Sequence, residues 1–161
     1  MLLRHPALYH GPRMVKSPAV YTAGLLRALG RGIDTEDWTW LMSLAGQQLF
    51  FPPNVAGWDD SRWLDTATYR ARWLIASQAI EKRALKPDKT KLPDDASKLL
   101  VRAEAFFGRP VLTGQTHSEL KRFAKSALGD VNAKWKKEQY PALIENALRQ
   151  LLASSPDLQT C

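Results

Sequence analysis

The sequence predicts an all-α fold with about six or seven helices in an irregular bundle. Apolar residues recur at intervals of three and four along most of the chain, and Ser, Thr or Asp precede several of these runs. No stretch alternates apolar and polar residues as a half-buried strand does. With 161 residues, 45% of them hydrophobic and 24% charged, the chain is long enough to bury a core.

The first two helices are predicted from their start and stop signals. Ser17 and Pro18 form an N-cap and a first-turn proline, and the helix that they start ends at Gly30. Asp34 or Thr35 caps the second helix. The apolar positions of this second helix are Trp38, Leu41, Met42, Ala45 and Leu49.

A longer third helix is predicted over residues 65–85, with apolar positions on two stripes. One stripe contains Tyr69, Trp73, Ala76, Ile80 and Ala84, and the other contains Ala67, Ala71, Leu74 and Ile75. A helix that is apolar over so wide an arc is usually covered on two sides. We therefore expect this helix to lie centrally in the bundle.

Three shorter amphipathic helices follow. Asp94 starts the first of them, which Gly108 ends. Thr116 and Glu119 have the spacing of a capping box at the start of the next, which runs to Gly129.

The last helix is predicted with Pro141 in its first turn. Its apolar positions are Leu143, Ile144, Ala147, Leu148, Leu151 and Leu152. Glu145 and Arg149 lie four residues apart, a spacing that stabilises a helix by an ion pair.

Composition divides the chain into three parts. Residues 1–85 form a Trp-rich helical half, residues 86–93 a Pro- and Lys-containing linker, and residues 94–161 a lysine-rich helical half. The apolar residues Leu2, Leu3, Leu8 and Tyr9 come without any capping signal, which indicates the C-terminal piece of a longer protein. The chain contains no signal peptide and no apolar run long enough to span a membrane, and its location is left open.

The run from Phe50 to Asp60 is the most distinctive part of the sequence. Two adjacent prolines fix the backbone, and a later glycine allows it to turn. We expect a rigid loop that clamps helices together, with the Trp58 ring packed against Trp38 and Trp73. The candidate binding residues are Pro52, Pro53, Asn54, Gly57, Trp58, Asp59, Asp60 and Trp63.

Four segments resemble a bacterial family, the domain of unknown function 1800 (DUF1800). They are residues 13–30, the string Gly46-Gln47-Gln48-Leu49-Phe50-Phe51-Pro52-Pro53-Asn54-Val55-Ala56-Gly57-Trp58, residues 63–68 and residues 151–159. The resemblance covers the chain from about Pro12 to its end. It implies a mostly helical C-terminal portion of a larger protein, often exported, with no established activity. Many members have two glycines where this chain has Asp59 and Asp60, so the resemblance implies no family-wide chemistry for these carboxylates.

No set of residues in the sequence requires catalysis, a metal or a cofactor. Asp59 and Asp60 are adjacent, so their side chains point apart, whereas carboxylate catalysis needs two groups that face each other. A helix-capping role for Asp59, Asp60 or Ser61 is the interpretation that we adopt. His5, His10 and His117 lack the spacing of metal ligands.

Three functions are compatible with these patterns. The first is a non-catalytic structural or interaction module that packs on an N-terminal region or a partner protein. The second is binding or processing of a carbohydrate or cell-envelope polymer through Trp58, Asp59, Asp60 and Trp63, since flat indole rings flanked by polar groups suit sugars. The third is association with nucleic acid, which the net charge of +7 permits.

Overall fold

The all-α prediction is confirmed. The structure, a computed structural model, describes residues 13–86, 91–129 and 134–161, with the backbone alone at residues 134–138. Seven α-helices, one 3₁₀ turn and no strand occur within these ranges. The helices are α1 (Pro18–Ala28), α2 (Asp37–Leu44), α3 (Thr66–Glu81), α4 (Ala96–Phe106), α5 (Gly114–Gly129), α6 (Lys134–Ala153) and α7 (Pro156–Gln159), and the 3₁₀ turn is Asp60–Arg62.

A single hydrophobic core joins the two compositional halves. Helix α6 packs against α3, α4 and α5, and α2 packs against α3. Trp38 of α2, Ile75 of α3, Leu99 of α4 and Leu148 of α6 are fully buried in the same cluster. Residues 87–90 of the predicted linker lie outside the described residues, as do residues 1–12.

Short polar side chains start several helices, as the sequence indicates. The Ser17 hydroxyl accepts a hydrogen bond from the Val20 N–H at 3.2 Å at the start of α1. The N-cap residue of α2 is Glu36, which makes no side-chain capping bond, so neither predicted cap, Asp34 or Thr35, is the N-cap. The Thr35 hydroxyl, one residue earlier, accepts the Asp37 N–H at 3.1 Å. The fourth helix starts one residue later than predicted, because Asp95 rather than Asp94 supplies its cap.

The second and third helices are shorter than predicted. Helix α2 ends at Leu44 instead of continuing to Leu49, because the chain turns at Gly46 with a φ of +96°. Helix α3 ends at Glu81 instead of residue 85.

The predicted capping box at Thr116 and Glu119 is wrong. Helix α5 begins at Gly114, and the hydroxyl of Thr113 accepts the Thr116 N–H at 3.3 Å. The helix starts earlier because Thr113, the residue before it, is bonded to Asp157 in the C-terminal segment. The Asp157 carboxylate accepts hydrogen bonds from the Thr113 N–H at 2.9 Å and from its hydroxyl at 3.0 Å.

The position predicted for Pro141 is also wrong. Pro141 lies inside α6, which begins at Lys134 rather than just before the proline. The predicted pair of Glu145 and Arg149 is confirmed, with Arg149 Nη2 2.6 Å from Glu145 Oε1, and both residues are buried. Arg102 Nε lies 3.2 Å from the second Glu145 oxygen, so two cations neutralise the buried carboxylate.

The face that α3 turns inward differs from the predicted stripes. Arg72 is buried, whereas Tyr69 and Trp73 of the first stripe are partly exposed. Arg72 donates hydrogen bonds to the Trp63 carbonyl at 2.9 Å, to Gln159 Oε1 at 3.1 Å and to the Lys16 carbonyl at 2.6 Å. The Arg72 guanidinium thereby connects α3 to the residues just before it and to the two outer segments of the described chain.

The two outer segments of the described chain pair with each other, in an arrangement that we call the terminal clasp (residues 14–16 and 159–161). Val15 and Thr160 form an antiparallel bridge. The Met14 N–H donates to the Cys161 carbonyl at 3.1 Å, and the Lys16 N–H donates to the Gln159 carbonyl at 2.8 Å. Beside the clasp, Arg13 Nη1 donates to Asp157 Oδ1 at 2.6 Å.

These contacts predict a pH dependence of stability centred on Asp157. Burial alone would raise the pKa of this carboxyl, but hydrogen bonds from Thr113, Thr116 and Arg13 lower its pKa to about 2. The stabilisation should be complete above an unfolded-state pKa of about 3.9 and be lost as the pH falls towards 2, by up to about 2 kcal/mol. Urea unfolding between pH 5 and pH 2 measures this loss. Asp157→Asn should remove that part of the pH dependence, and an unchanged profile in the variant would contradict the assignment.

Candidate functional site

Residues 46–63 connect α2 to α3, and we call them the apolar loop. Short-range hydrogen bonds fix its shape. The Phe51 N–H donates to the Gln48 carbonyl at 3.2 Å, around Phe50 with its φ of +62°. Further along, Asn54 Oδ1 accepts the Ala56 N–H at 2.8 Å, and the Asn54 carbonyl accepts the Gly57 N–H at 3.1 Å. These turns are of the kind that asparagine and glycine favour.

The tip of the apolar loop presents large apolar side chains to solvent. Phe50 is 96% exposed, Phe51 is 70% exposed and Val55 is fully exposed. Pro52, Pro53 and Asn54, which the sequence singles out, are exposed between them. Several large apolar side chains exposed close together in sequence are unusual for a surface that meets only water.

Trp58 and Trp63 occupy the base of the loop and are half-buried. Their Nε1 atoms are shielded from solvent and have no hydrogen-bond partner among the described residues. The exposed part of each indole is therefore carbon. Gly57, which precedes Trp58, turns the chain with a φ of +91°.

Asp59 and Asp60 lie exposed at the end of the loop. The Asp59 carboxylate accepts hydrogen bonds from the Ser61 N–H at 3.2 Å and from the Ser61 hydroxyl at 2.5 Å. Asp59 is thus the N-cap of the 3₁₀ turn, and Asp60 is the first residue of that turn. The Asp59 carboxylate therefore caps the 3₁₀ turn, as the sequence predicts for one of these residues.

The charge around the apolar loop is opposite to that of the whole chain. No charged residue occurs between Asp37 and Asp59, although the chain as a whole carries a net charge of +7. Residues 33–69 contain six carboxylates and one arginine. The stretch between Asp37 and Asp59 is therefore uncharged, and the sequence on either side of it is rich in carboxylates, of which Asp34 is paired with Arg31 and Lys82.

Two residues that sequence reasoning did not select anchor the base of the loop. Gly46 lies against the Trp63 ring, and a Cβ atom at this position would be 3.3 Å from Trp63 Cδ1. Arg72 Nε donates a hydrogen bond to the Trp63 carbonyl at 2.9 Å. The position of Gly46 just after a helix could have indicated its role in the sequence. No residue near Arg72 in the sequence indicated that this arginine would be buried.

Gly46→Ala should destabilise the protein by about 1–3 kcal/mol, because it adds a Cβ to a left-handed backbone position against Trp63. Thermal unfolding followed by circular dichroism measures the change. Gly24→Ala is the matched control, since no atom lies within 4 Å of a Cβ there and the helix gains propensity. Equal melting temperatures for the two variants would contradict the close packing of Gly46.

Two other classes of feature, metal centres and membrane-spanning helices, were sought among the described residues. Residues 13–86, 91–129 and 134–161 contain no group of three or more His, Cys, Asp or Glu side chains that could hold a metal ion. In the same ranges, no helix has the length and apolar character needed to cross a bilayer. His117 lies on α5 with its Nε2 3.7 Å from Glu104 Oε1, and His5 and His10 fall outside the described residues.

Within the described residues, the helices pack around one hydrophobic core, and the loop between α2 and α3 exposes large apolar side chains. The sequence matches the model of a family described as "Protein of unknown function (DUF1800)" over residues 1–160. The chain belongs to this family, and the match includes residues 1–11 that the resemblance by motif had left out. No curated protein and no solved structure matches the chain.

Proposed function

We propose that the chain is a non-catalytic protein-interaction module that docks on a partner protein through its apolar loop. The observation that carries this proposal is the exposure of Phe50, Phe51 and Val55 on a loop of fixed shape. Preorganised apolar side chains bind with little loss of conformational entropy. Aromatic anchors of this kind dominate the binding energy of protein interfaces.

The distribution of charge indicates the kind of partner that would fit the loop. Anionic lipid surfaces and nucleic acid attract basic surfaces, whereas the sequence on either side of the uncharged stretch between Asp37 and Asp59 is rich in carboxylates. A protein surface with an apolar pocket and a basic rim is complementary to it in both respects. The partner is therefore a protein with such a pocket.

Polymer binding or processing through the same loop is the weaker proposal. The Asp59 carboxylate is engaged by Ser61, and the indole N–H groups of Trp58 and Trp63 are shielded from solvent. A sugar platform on these residues would keep the exposed Asp60 carboxylate and Asn54 side chain, but the two indole N–H groups and the Asp59 oxygen bonded by Ser61 would take no part in orienting a sugar ring.

A photo-crosslinking experiment tests the proposal. A benzoylphenylalanine residue is placed at position 51 in cells of the source organism and, as a control, at Val111, which is equally accessible but far from the loop in sequence. We expect a discrete protein adduct at position 51 alone. The crosslinked protein, once purified, should bind the wild-type chain and lose at least about tenfold in affinity to the double variant Phe50→Ser, Phe51→Ser.

The double variant should keep the wild-type melting temperature, because the two side chains make little contact with the core. Equal adducts at positions 51 and 111, or unchanged affinity of the double variant, would exclude the loop as a docking site. Sedimentation with phosphatidylglycerol vesicles that depends on Phe50 and Phe51 would place the loop on a membrane and overturn the proposal.

A further inference from the structure

The Arg72 guanidinium joins the terminal clasp to the base of the apolar loop. Its Nη2 donates to the Lys16 carbonyl at 2.6 Å and its Nη1 donates to Gln159 Oε1 at 3.1 Å, so each half of the clasp supplies one acceptor. Its Nε donates to the carbonyl of Trp63, the last residue of the loop, at 2.9 Å. Two features that lie far apart in the sequence therefore share one side chain.

Arg72 depends on these three acceptors for its place in the core. The residue is 1% exposed, and within the described residues no carboxylate forms an ion pair with it. The centroid of the Tyr21 ring lies 5.4 Å from its Cζ. A buried cation that loses its hydrogen-bond partners is costly, because no water replaces them. Without the clasp, the guanidinium would keep only the Trp63 carbonyl and the face of the Tyr21 ring.

Trp63 also connects the two ends of the apolar loop. Its ring lies against Gly46, the first residue of the loop, where a Cβ atom would be 3.3 Å from Trp63 Cδ1. Thr68 of α3 packs on the same glycine, and its hydroxyl donates to the Arg62 carbonyl at 2.7 Å. A movement of the Trp63 carbonyl therefore reaches both ends of the loop. The turn at the tip is held separately, by hydrogen bonds to Asn54.

The terminal clasp has the features of a segment that opens locally. It consists of one antiparallel bridge with three backbone hydrogen bonds, and its outer residues, Met14 and Cys161, are exposed. Short exposed pairings of this kind open at a lower free energy than the core. When the two halves of the clasp separate, Lys16 and Gln159 cannot both stay on the guanidinium.

We propose that the terminal clasp regulates the apolar loop through Arg72. Opening the clasp withdraws two of the three acceptors from a buried cation, so the guanidinium turns towards water and leaves the Trp63 carbonyl. The base of the loop then loosens, while the turn at its tip persists. The coupling is reciprocal, so a molecule that binds either outer segment changes the loop, and one that fixes the base of the loop closes the clasp. This coupling is a property of the fold and does not rest on the loop being a docking site.

A double variant that weakens the clasp tests the coupling. Met14→Pro and Cys161→Pro remove the two N–H donors of their pair and change only exposed side chains. Lys16, Gln159 and Arg72 keep all the groups that they use in the network. We call the double variant the clasp variant.

Amide hydrogen exchange followed by NMR gives the response of the loop. The Trp63 N–H donates to the Asp60 carbonyl at 3.2 Å, and the Asp65 N–H donates to the Arg62 carbonyl at 3.3 Å. We expect both amides to exchange at least about fivefold faster in the clasp variant than in the wild type. The Gly57 N–H at the tip should exchange at the wild-type rate.

Two further variants show whether the effect is specific and whether it passes through Arg72. Asp95→Ala removes the cap of α4, where Asp95 accepts the Lys98 N–H at 2.8 Å, and so weakens a helix that does not border the loop. It should leave the exchange of Trp63 unchanged. In an Arg72→Lys background, the clasp variant should accelerate the Trp63 amide by less than about twofold, because the ammonium cannot hold all three acceptors.

The reverse experiment perturbs the loop and observes the clasp. Gly46→Ala crowds the Trp63 ring, so we expect the Lys16 N–H, which donates to the Gln159 carbonyl at 2.8 Å, to exchange at least about threefold faster. Gly24→Ala, with open space around its Cβ position, should have no effect on this amide. This measurement decides the question if the clasp variant does not fold.

Each of four results would overturn the proposal. They are wild-type exchange of Trp63 and Asp65 in the clasp variant, an equal acceleration in Asp95→Ala, an undiminished acceleration in the Arg72→Lys background, and wild-type exchange of Lys16 in Gly46→Ala. The third result would show that the loop responds to the clasp by a route that does not include Arg72.

Discussion

Replacing Arg72 by methionine should lower the free energy of unfolding by about 3–5 kcal/mol. The guanidinium is fully buried and donates to three oxygens, those of Lys16, Trp63 and Gln159. Methionine fills a similar volume but leaves each of these oxygens without its donor, at a cost of about 1–3 kcal/mol apiece. Urea unfolding at pH 7 measures the change.

Two variants make this expectation specific. Arg70→Met lies two residues away on the exposed side of α3, so it should change stability by no more than about 0.5 kcal/mol. Arg72→Lys should recover only part of the loss, because an ammonium cannot reach three acceptors in the planar arrangement of a guanidinium. If Arg72→Met were as stable as Arg70→Met, the role of the buried arginine would be wrong.

Replacing Trp38 by alanine should cost about 3–5 kcal/mol, as expected for deletion of a buried indole. Trp38 is 0% exposed in the middle of the core, and its Nε1 donates to Asp34 Oδ1 at 3.0 Å. Arg31 and Lys82 also hold this carboxylate, and these partners keep the pKa of Asp34 well below its ordinary value. The substitution therefore opens a cavity and removes one of the bonds to Asp34.

Trp40 provides a control on the same helix, two residues further on. It is 61% exposed, so Trp40→Ala should change the unfolding free energy by less than about 1 kcal/mol. Trp38→Phe should fall between the two, because it keeps most of the apolar volume but loses the hydrogen bond. Similar unfolding midpoints for Trp38→Ala and Trp40→Ala would show that the core does not depend on Trp38.

The parts of the fold that depend on neighbours in sequence could be predicted. The cap at Ser17 and the ion pair between Glu145 and Arg149 each involve residues three or four positions apart. The spacing of apolar residues likewise located the helices and the loop between α2 and α3.

The parts that depend on distant partners could not be predicted. The start of α5 is set by Asp157, which binds Thr113 from 44 residues away. Arg72 is buried because Gln159 and Lys16 supply acceptors from the two outer segments. Because these partners cannot be identified from the sequence, an arginine between two apolar stripes is expected to be exposed to solvent.

For the candidate sites, too, the features that depend on local sequence could be predicted and those that depend on distant contacts could not. The stiffness of the apolar loop follows from its prolines, asparagine and glycine, whereas its exposure could not be read from composition. Apolar spacing placed Tyr69 and Trp73 on one stripe of α3, but it did not show that both side chains would stay partly exposed. The periodicity of apolar residues predicts which side of a helix is apolar. It does not predict whether another element packs against that side.

The terminal clasp determines how the protein responds to a mechanical pull on its two outer segments. Because residues 14–16 and 159–161 run antiparallel with Met14 opposite Cys161, a force applied at residues 13 and 161 loads their hydrogen bonds one after another. Strands that separate in this way unzip under low force, unlike strands that are sheared along their length. Further extension would reach the bonds from Arg72 to Lys16 and Gln159, which lie directly behind the clasp.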